Sequence, residues 1–431
     1  MPAHSRITSR SILVPVLLVI LAIVSLLDDY QGWRFLLFGL GGAWFFSRWW
    51  AQALANRLSL RREMRFGWAQ VGDRLEQRFT LINQAIVPVP WVELEDHSNL
   101  PGAQENLVTG IESHASSSWQ KGSLCQQRGL FTLGPTSLHT SDPLGLFKVE
   151  IEDPSHVSLL VTPPIVPLPR IEVAPGGRAG EGKPRPHSLE QTISASGARP
   201  YQQGDGLRWV HWPTTARRDE LYVRTFESRP SGDWWILLDC DQTVQAGEGE
   251  HSTLEHGVIL AASLADRGLR QGQAVGLAAH GERLVWLPPR QGDGQRWDIL
   301  QSLALLQPAT RPLVDLIGLI HGRSAKGASL ILITPNTHGD WLESLLPLLW
   351  QGSVPTVLLL DPFTFGGQAN ARPLSQRLAH WGIHHHLVTP ELLNRPEARP
   401  GHEGQREFRV TPTGRAIPVN PPREAAWRGF S

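Results

Sequence analysis

Residues Trp234–Thr243 read WWILLDCDQT. An unbroken apolar run closed by an acid predicts a short strand buried on both faces, the signature of a parallel sheet covered by helices. Downstream, strand and helix alternate. Thr253–Gly268 sets Leu254, Val258, Leu260 and Ala261 at helical spacing, and Ala274–Ala279 and Leu284–Leu287 are short strands around a His280-Gly281 turn. Asp298–Leu306 and Leu313–Ile320 predict helices, Ser329–Thr334 a strand and Trp341–Trp350 a helix. Val354–Asp361, Leu374–Trp381 and His384–Thr389 complete the series. The alternation predicts a doubly wound α/β domain over 231–393, mostly parallel with one antiparallel edge. Its last strand holds His384-His385-His386. Side chains alternate along a strand, so at most two of the three converge, and the favoured reading is a terminal strand near the sheet's edge.

The acid that closes the first strand opens the phrase Asp239-Cys240-Asp241-Gln242-Thr243. With the strand order behind it, this region resembles a von Willebrand factor A-like domain. In that fold an Asp-x-Ser-x-Ser motif at the end of the first strand, with a later Thr and Asp, holds a metal. Asp239 matches; Thr243 stands for the second Ser, Asp241 replaces the first, and Thr253 aligns with the later Thr. The later Thr-Asp-Gly becomes Thr334-Pro335-Asn336, which lacks the carboxylate. Hard cations take oxygen ligands, and Asp239, Asp241 and Thr243 offer three. The loop therefore reads as a degenerate, weak Mg²⁺ site or as a structural acidic turn. No other cofactor is implied.

Upstream lies ARPYQQGDGLRWVHWPTTARRDELYVRTFE, Ala198–Glu227. Gly204-Asp205-Gly206 is turn chemistry. Arg208, His211, Arg217 and Arg218 surround Trp209 and Trp212. Two readings stand side by side: buried indoles with arginine stems across them, or a recognition surface of the residue types that dominate binding hot spots. The block resembles the family known as domain of unknown function 58, through Tyr201, Gly204-Asp205, Arg208, Val210, Trp212, Thr214-Thr215, Ala216-Arg217 and Leu221. Three upstream phrases belong to the same resemblance: RGLFTLGP (Arg128–Pro135), SDPLGLF (Ser141–Phe147) and PGGRAGEG (Pro175–Gly182). Pro213 departs from it, since members often carry Lys there. The resemblance implies a protein-binding role, with Tyr201, Asp205, Arg208, Trp212 and Arg217 as contacts. It also implies association with a MoxR-type AAA+ ATPase.

Residues 163–230 form the connector that carries this block. Its Gly176–Lys183 stretch is glycine-rich beside cations, but Gly182-Lys183 is followed by Pro184, so the phosphate-loop pattern is absent. An exposed connector is the expected form. Residues 60–162 break into short alternating runs such as Leu75–Leu81 and Val157–Val161, which predict a small β-sandwich.

Before it, residues 1–58 carry two apolar runs, Ile12–Leu27 and Trp33–Trp50, joined across Asp28-Asp29-Tyr30. Together they predict a transmembrane helical hairpin, with Gly39, Gly41 and Gly42 permitting close helix approach. Arg6 and Arg10 precede the hairpin; Arg48, Arg57, Arg61, Arg62 and Arg65 follow it. By the positive-inside rule this places a two-pass protein in the inner membrane with its soluble domains in the cytoplasm. The tail, 394–431, is rich in Pro, Gly and Arg, with a candidate hairpin at Glu407–Val410 and Arg415–Val419.

Across 431 residues, Lys+Arg and Asp+Glu balance at 40 each, which supplies no field for nucleic acid. The 2 cysteines, Cys125 and Cys240, exclude a disulfide framework and a cysteine metal cluster. No Gly-x-Ser-x-Gly elbow occurs, and neither cysteine adjoins a base. The expected function is a membrane-anchored, non-enzymatic adaptor or assembly factor acting on protein clients. The rivals are a membrane-associated hydrolase and a cell-envelope scaffold.

Overall fold

The computed structural model describes residues 4–103, 106–168, 171–176, 195–201, 210–218, 220–226, 233–321, 327–393, 408–410, 416–418 and 428–429. The chain divides into two units, Met1–Pro164 with Arg399–Ser431, and Ile165–Ala398.

The first unit opens with β1 (His4–Ser9), α1 (Leu13–Leu27) and α2 (Gln31–Arg57). The turn between the helices is built by its acids. Asp28 accepts from the Tyr30 N–H at 3.1 Å and the Trp33 indole at 3.0 Å, and Asp29 pairs with Arg34 at 3.2 Å. The transmembrane hairpin expected here is overturned, because no helix among the described residues is long and apolar enough to cross a membrane. α1 has 15 residues, which rise about 22 Å against a hydrocarbon core of about 30 Å. α2 has 27 residues, but Arg34 and Arg48 interrupt it, and Ser47, Ala51, Leu54 and Ala55 are buried toward its end. Leu13, Leu26 and Leu27 of α1 and Phe35 and Phe38 of α2 are exposed.

Among the described residues ten strands follow: β2 (Leu58–Met64), β3 (Trp68–Gln70), β4 (Arg74–Asn83), β5 (Val89–Asp96), β6 (Asn106–Ile111), β7 (Ser116–Leu124), β8 (Gly129–Leu133), β9 (Thr136–Ser141), β10 (Phe147–Asp153) and β11 (Val157–Thr162). One sheet runs β1-β10-β9-β5-β6, a second places β2, β4 and β7 side by side, and a third is β3-β11-β8. Alternation decides what faces inward. Phe79 and Leu81 of β4, Val92 and Leu94 of β5, Leu138 of β9 and Val149 of β10 share one core. Ala51, Leu54 and Ala55 of α2 complete that core, so the helix end is part of this unit.

Several of the arginines that suggested membrane orientation are engaged by this fold. Arg62 is buried and pairs with Asp96 at 2.9 Å. Arg61 meets Glu63 at 3.1 Å and Arg65 meets Glu76 at 3.5 Å. Arg6 of β1 stands opposite Glu150 of β10. The two-pass inner-membrane localisation therefore falls with the hairpin. The phrase SDPLGLF is the turn between β9 and β10. Asp142 accepts from the Leu144 N–H at 3.0 Å and the Phe147 N–H at 2.7 Å, and Gly145 takes φ +68°.

In the second unit β12 (Ala195–Pro200) and β13 (Tyr222–Phe226) pair antiparallel, with α3 (Trp212–Arg218) between them in sequence. There follow β14 (Trp234–Leu238), α4 (Thr253–Arg270), β15 (Val275–His280), β16 (Leu284–Arg290), α5 (Asp293–Ala304), α6 (Leu313–His321), β17 (Ser329–Thr334), α7 (Leu342–Trp350), β18 (Val354–Leu360), α8 (Arg372–His380) and β19 (His384–Val388). The sheet order is β16-β15-β14-β17-β18-β19, parallel throughout except for β16. β14 is buried along its whole length. Trp234, Ile236 and Leu238 pack with α4 and α5, whereas Trp235 and Leu237 pack with α6, α7 and α8.

The expected exposed connector is, in part, core. Val166, Leu168 and Ile171 are buried beside Leu358, Leu360 and Val388. Ser263 of α4 holds the Val166 N–H at 2.9 Å, Arg267 bonds the Leu168 and Ile171 carbonyls at 2.8 Å each, and Thr356 of β18 holds the Ala174 N–H at 2.9 Å. Gly176 ends this strap. A Cβ there would sit 2.4 Å from the Ala328 carbonyl carbon, so only glycine fits. In the tail β20 (Phe408–Val410) and β21 (Ala416–Pro418) pair antiparallel, and β22 (Arg428–Gly429) pairs with β2.

Candidate site at the carboxyl edge of the parallel sheet

β14 has β15 on one side and β17 on the other, so the chain changes direction of travel across the sheet at its carboxyl end. Open α/β sheets bind ligands at such a switch point. Asp239 stands there, only 2% exposed. Its Oδ2 accepts from the Thr334 hydroxyl at 2.6 Å, and its Oδ1 accepts from the Asp241 N–H at 3.1 Å. Thr334 in turn accepts from the Asn336 N–H at 2.9 Å. Burial pushes Asp239 up to about 6, with smaller upward contributions from the Asp241 and Asp340 carboxylates. The two hydrogen bonds pull the other way. Asp241 accepts from the Thr243 N–H at 3.0 Å and the Thr243 hydroxyl at 2.9 Å.

The loop onward is tied to the next helix. Gln245 donates to the Asp239 carbonyl at 3.1 Å and accepts from the Thr253 hydroxyl at 2.7 Å. Ser252 caps α4 by accepting from the Glu255 N–H at 3.2 Å. One turn in, His256 is buried against Phe365 with ring centroids 4.8 Å apart, and burial lowers its pKa. Asp239, Asp241 and Thr243 are thus brought together, and Thr253 reaches them through Gln245. Among the described residues no group of three or more His, Cys, Asp or Glu is placed to hold a metal ion. Asp340 is the residue that sequence reasoning missed. It begins the α7 turn, where it accepts from the Asn336 side-chain amide at 3.3 Å and the Trp341 N–H at 3.0 Å. Its signal in the sequence is an acid four residues beyond Asn336.

The second candidate set is split. Asp205 and Arg208 lie outside the described residues. The Tyr201 N–H donates to the Leu221 carbonyl at 2.7 Å, which joins the two ends of the block. Val210 and Tyr222 are the buried members. Trp212 is 68% exposed, so for this indole the buried-packing reading fails. It opens α3, whose inner side is fixed by Thr215 holding the Tyr222 N–H at 3.0 Å and by His211 bonded to Thr214 at 2.7 Å. Pro213, Ala216, Arg217 and Arg218 are exposed with it. Arg218 also bonds the Tyr222 hydroxyl at 3.2 Å and lies 5.5 Å from that ring's centroid.

Residues 197–363 match the family described as "Protein of unknown function DUF58". The chain is similar to the uncharacterized protein YeaD of Bacillus subtilis, 27% identical over 258 residues, covering 57% of this chain and 61% of that protein. It is also similar to the uncharacterized protein Rv1480 of Mycobacterium tuberculosis, 23% identical over 171 residues, covering 38% of this chain and 54% of that protein. The match therefore spans less than two thirds of either relative. Among solved structures, a CARDB domain from Pyrococcus furiosus aligns at 10% identity with a TM-score of 0.18, over 24% of this chain and 94% of that domain. A likeness that slight carries no argument about fold or function.

Proposed function

We propose that this chain, which belongs to the DUF58 family over residues 197–363, is a non-enzymatic protein-binding adaptor that presents α3 as its contact surface. The observation that carries the reading is the exposed indole of Trp212 on a short helix that also exposes Arg217 and Arg218. Exposing a tryptophan wastes its burial free energy unless a partner covers it, and Trp with Arg is the hot-spot pairing of protein interfaces. The helix is tied to β13 where Thr215 accepts from the Tyr222 N–H, a bond that uses neither Trp212 nor Arg217. The resemblance to MoxR-associated proteins names a MoxR-type AAA+ ATPase as the partner to test first.

The carboxyl edge supports a narrower part in this reading. Asp239, Asp241 and Thr243 offer three oxygen ligands, short of the octahedral shell that Mg²⁺ takes. Each Asp239 oxygen already accepts one hydrogen bond from the fold's own groups. In this reading the shell of an ion there is completed by water and by an oxygen of the bound partner.

The deciding experiment is cross-linking in native cells, probing for a MoxR-type ATPase, with wild type, Trp212→Ala and Arg217→Ala. The adaptor reading expects the ATPase to be captured by wild type and lost from both variants, with melting unchanged. Capture that persists undiminished in both variants refutes α3 as the contact.

A further inference from the structure

Three consecutive histidines occupy β19, the edge strand of the parallel sheet. Strand alternation sends His384 and His386 to one face and His385 to the other. His385 is engaged at both nitrogens. Its Nε2 lies 2.8 Å from the Ser375 hydroxyl of α8, and its Nδ1 lies 3.0 Å from the Ile383 carbonyl oxygen. On the opposite face the His384 and His386 rings meet edge to face with centroids 4.9 Å apart. His386 Nε2 lies 3.1 Å from the Glu172 carbonyl oxygen of the strap. A carbonyl only accepts, so that nitrogen carries the proton and the lone pair falls on Nδ1. Holding one ring nitrogen with a carbonyl is how proteins fix the tautomer and orientation of a ligating imidazole.

We propose that His384 and His386 form a two-imidazole chelate for a borderline divalent transition metal, Zn²⁺ or Cu²⁺, at the outer edge of the sheet. Imidazole nitrogen selects these ions over Mg²⁺ and Ca²⁺, which take oxygen. His384 is exposed, so water completes the coordination. Because the Glu172 carbonyl fixes the His386 ring, an ion there tightens the strap against β19. The site is separate from α3 and does not depend on the adaptor reading.

The test uses the full chain, stripped with chelator and titrated with ZnCl₂ by calorimetry, with melting followed in parallel. Wild type is expected to bind one Zn²⁺, and its melting temperature to rise until chelator is added. His384→Gln and His386→Ala are each expected to weaken binding by about tenfold or more, whereas His385→Ala retains wild-type affinity. MgCl₂ is expected to give no heat that these variants alter. Melting of each variant without metal shows whether it is folded, and His384→Gln, at an exposed position, keeps the test decisive if His386→Ala is not. Absence of Zn²⁺-dependent heat in wild type overturns the proposal. So does unchanged affinity in His384→Gln, or a loss in His385→Ala equal to that of the flanking histidines.

Discussion

Each unit buries an aspartate almost completely, and the two are held in opposite ways. Asp96, 5% exposed, sits inside the sandwich unit and faces a buried arginine. Arg62 donates to both of its oxygens at 2.9 Å, and Ser98 adds a bond at 2.6 Å. The guanidinium also lies 4.9 Å from the Phe79 ring, and burial lowers its pKa against the pull of Asp96. Asp239, 2% exposed, has only dipoles for partners, a hydroxyl and an amide. At Asp96 charge meets charge, and the guanidinium engages both carboxylate oxygens. At Asp239 burial displaces the carboxyl toward neutral pH, at the carboxyl end of a parallel strand, the position open α/β sheets use for ligands.

The largest expected effect tests the buried pair. Asp96→Ala leaves Arg62 buried without its counter-charge, and breaking such a pair costs about 3–5 kcal/mol. Urea unfolding should show that loss, and the double variant Arg62→Met, Asp96→Leu should recover most of it. A single-variant loss below about 1 kcal/mol would mean that water already reaches the pair.

Next comes Asp239, where the comparison becomes a matter of pH. Its folded-state pKa of about 6 lies above the ordinary carboxylate value of 3.8, so the folded chain binds more protons between those values. Stability from this group is therefore greatest below the unfolded pKa and is lost as pH rises through about 6. Asn does not titrate. Asp239→Asn should gain on wild type between pH 4 and pH 8, by on the order of 2–3 kcal/mol. A pH-independent difference between the two proteins would show that Asp239 is not displaced. Thr334→Val sharpens the same point, since it removes the donor to Oδ2. The expected loss is about 1–2 kcal/mol at pH 8. It should shrink at pH 5, where the protonated acid no longer needs the bond as much.

What the sequence disclosed follows the same division. WWILL is legible as β14 because a strand covered on both faces needs no polar alternation, and the acid after it marks the carboxyl edge. α1 reads as apolar for the same number of reasons, yet length separates the cases: its 15 residues do not span a bilayer. The arginines after α2 misled because composition cannot show partners distant in sequence. Arg62 of one sheet finds Asp96 of another, 34 positions away in sequence, and nothing local announces it. The strap was hidden likewise, since Val166, Leu168 and Ile171 are scattered among prolines without a period. At the site, Asp239 was legible from its strand, while Asp340 needed the fold to bring α7 beside β14.

The smallest stability effect is the most telling for function. Trp212→Ala removes the largest side chain type, and from a core it would cost about 3–5 kcal/mol. Here the indole is 68% exposed at the start of α3, while the bonds that hold the helix run through Thr215, His211 and Thr214. None of those bonds uses the indole, so the change in melting should correspond to no more than about 0.5 kcal/mol, the range of surface substitutions. Tyr222→Ala, in the buried partner of the same block, is the control and should be plainly destabilising. If Trp212→Ala proves as costly as Tyr222→Ala, the indole is buried in solution and α3 offers no recognition surface. If it is neutral in melting yet abolishes partner capture, the second unit keeps its recognition chemistry apart from the groups that hold its fold together.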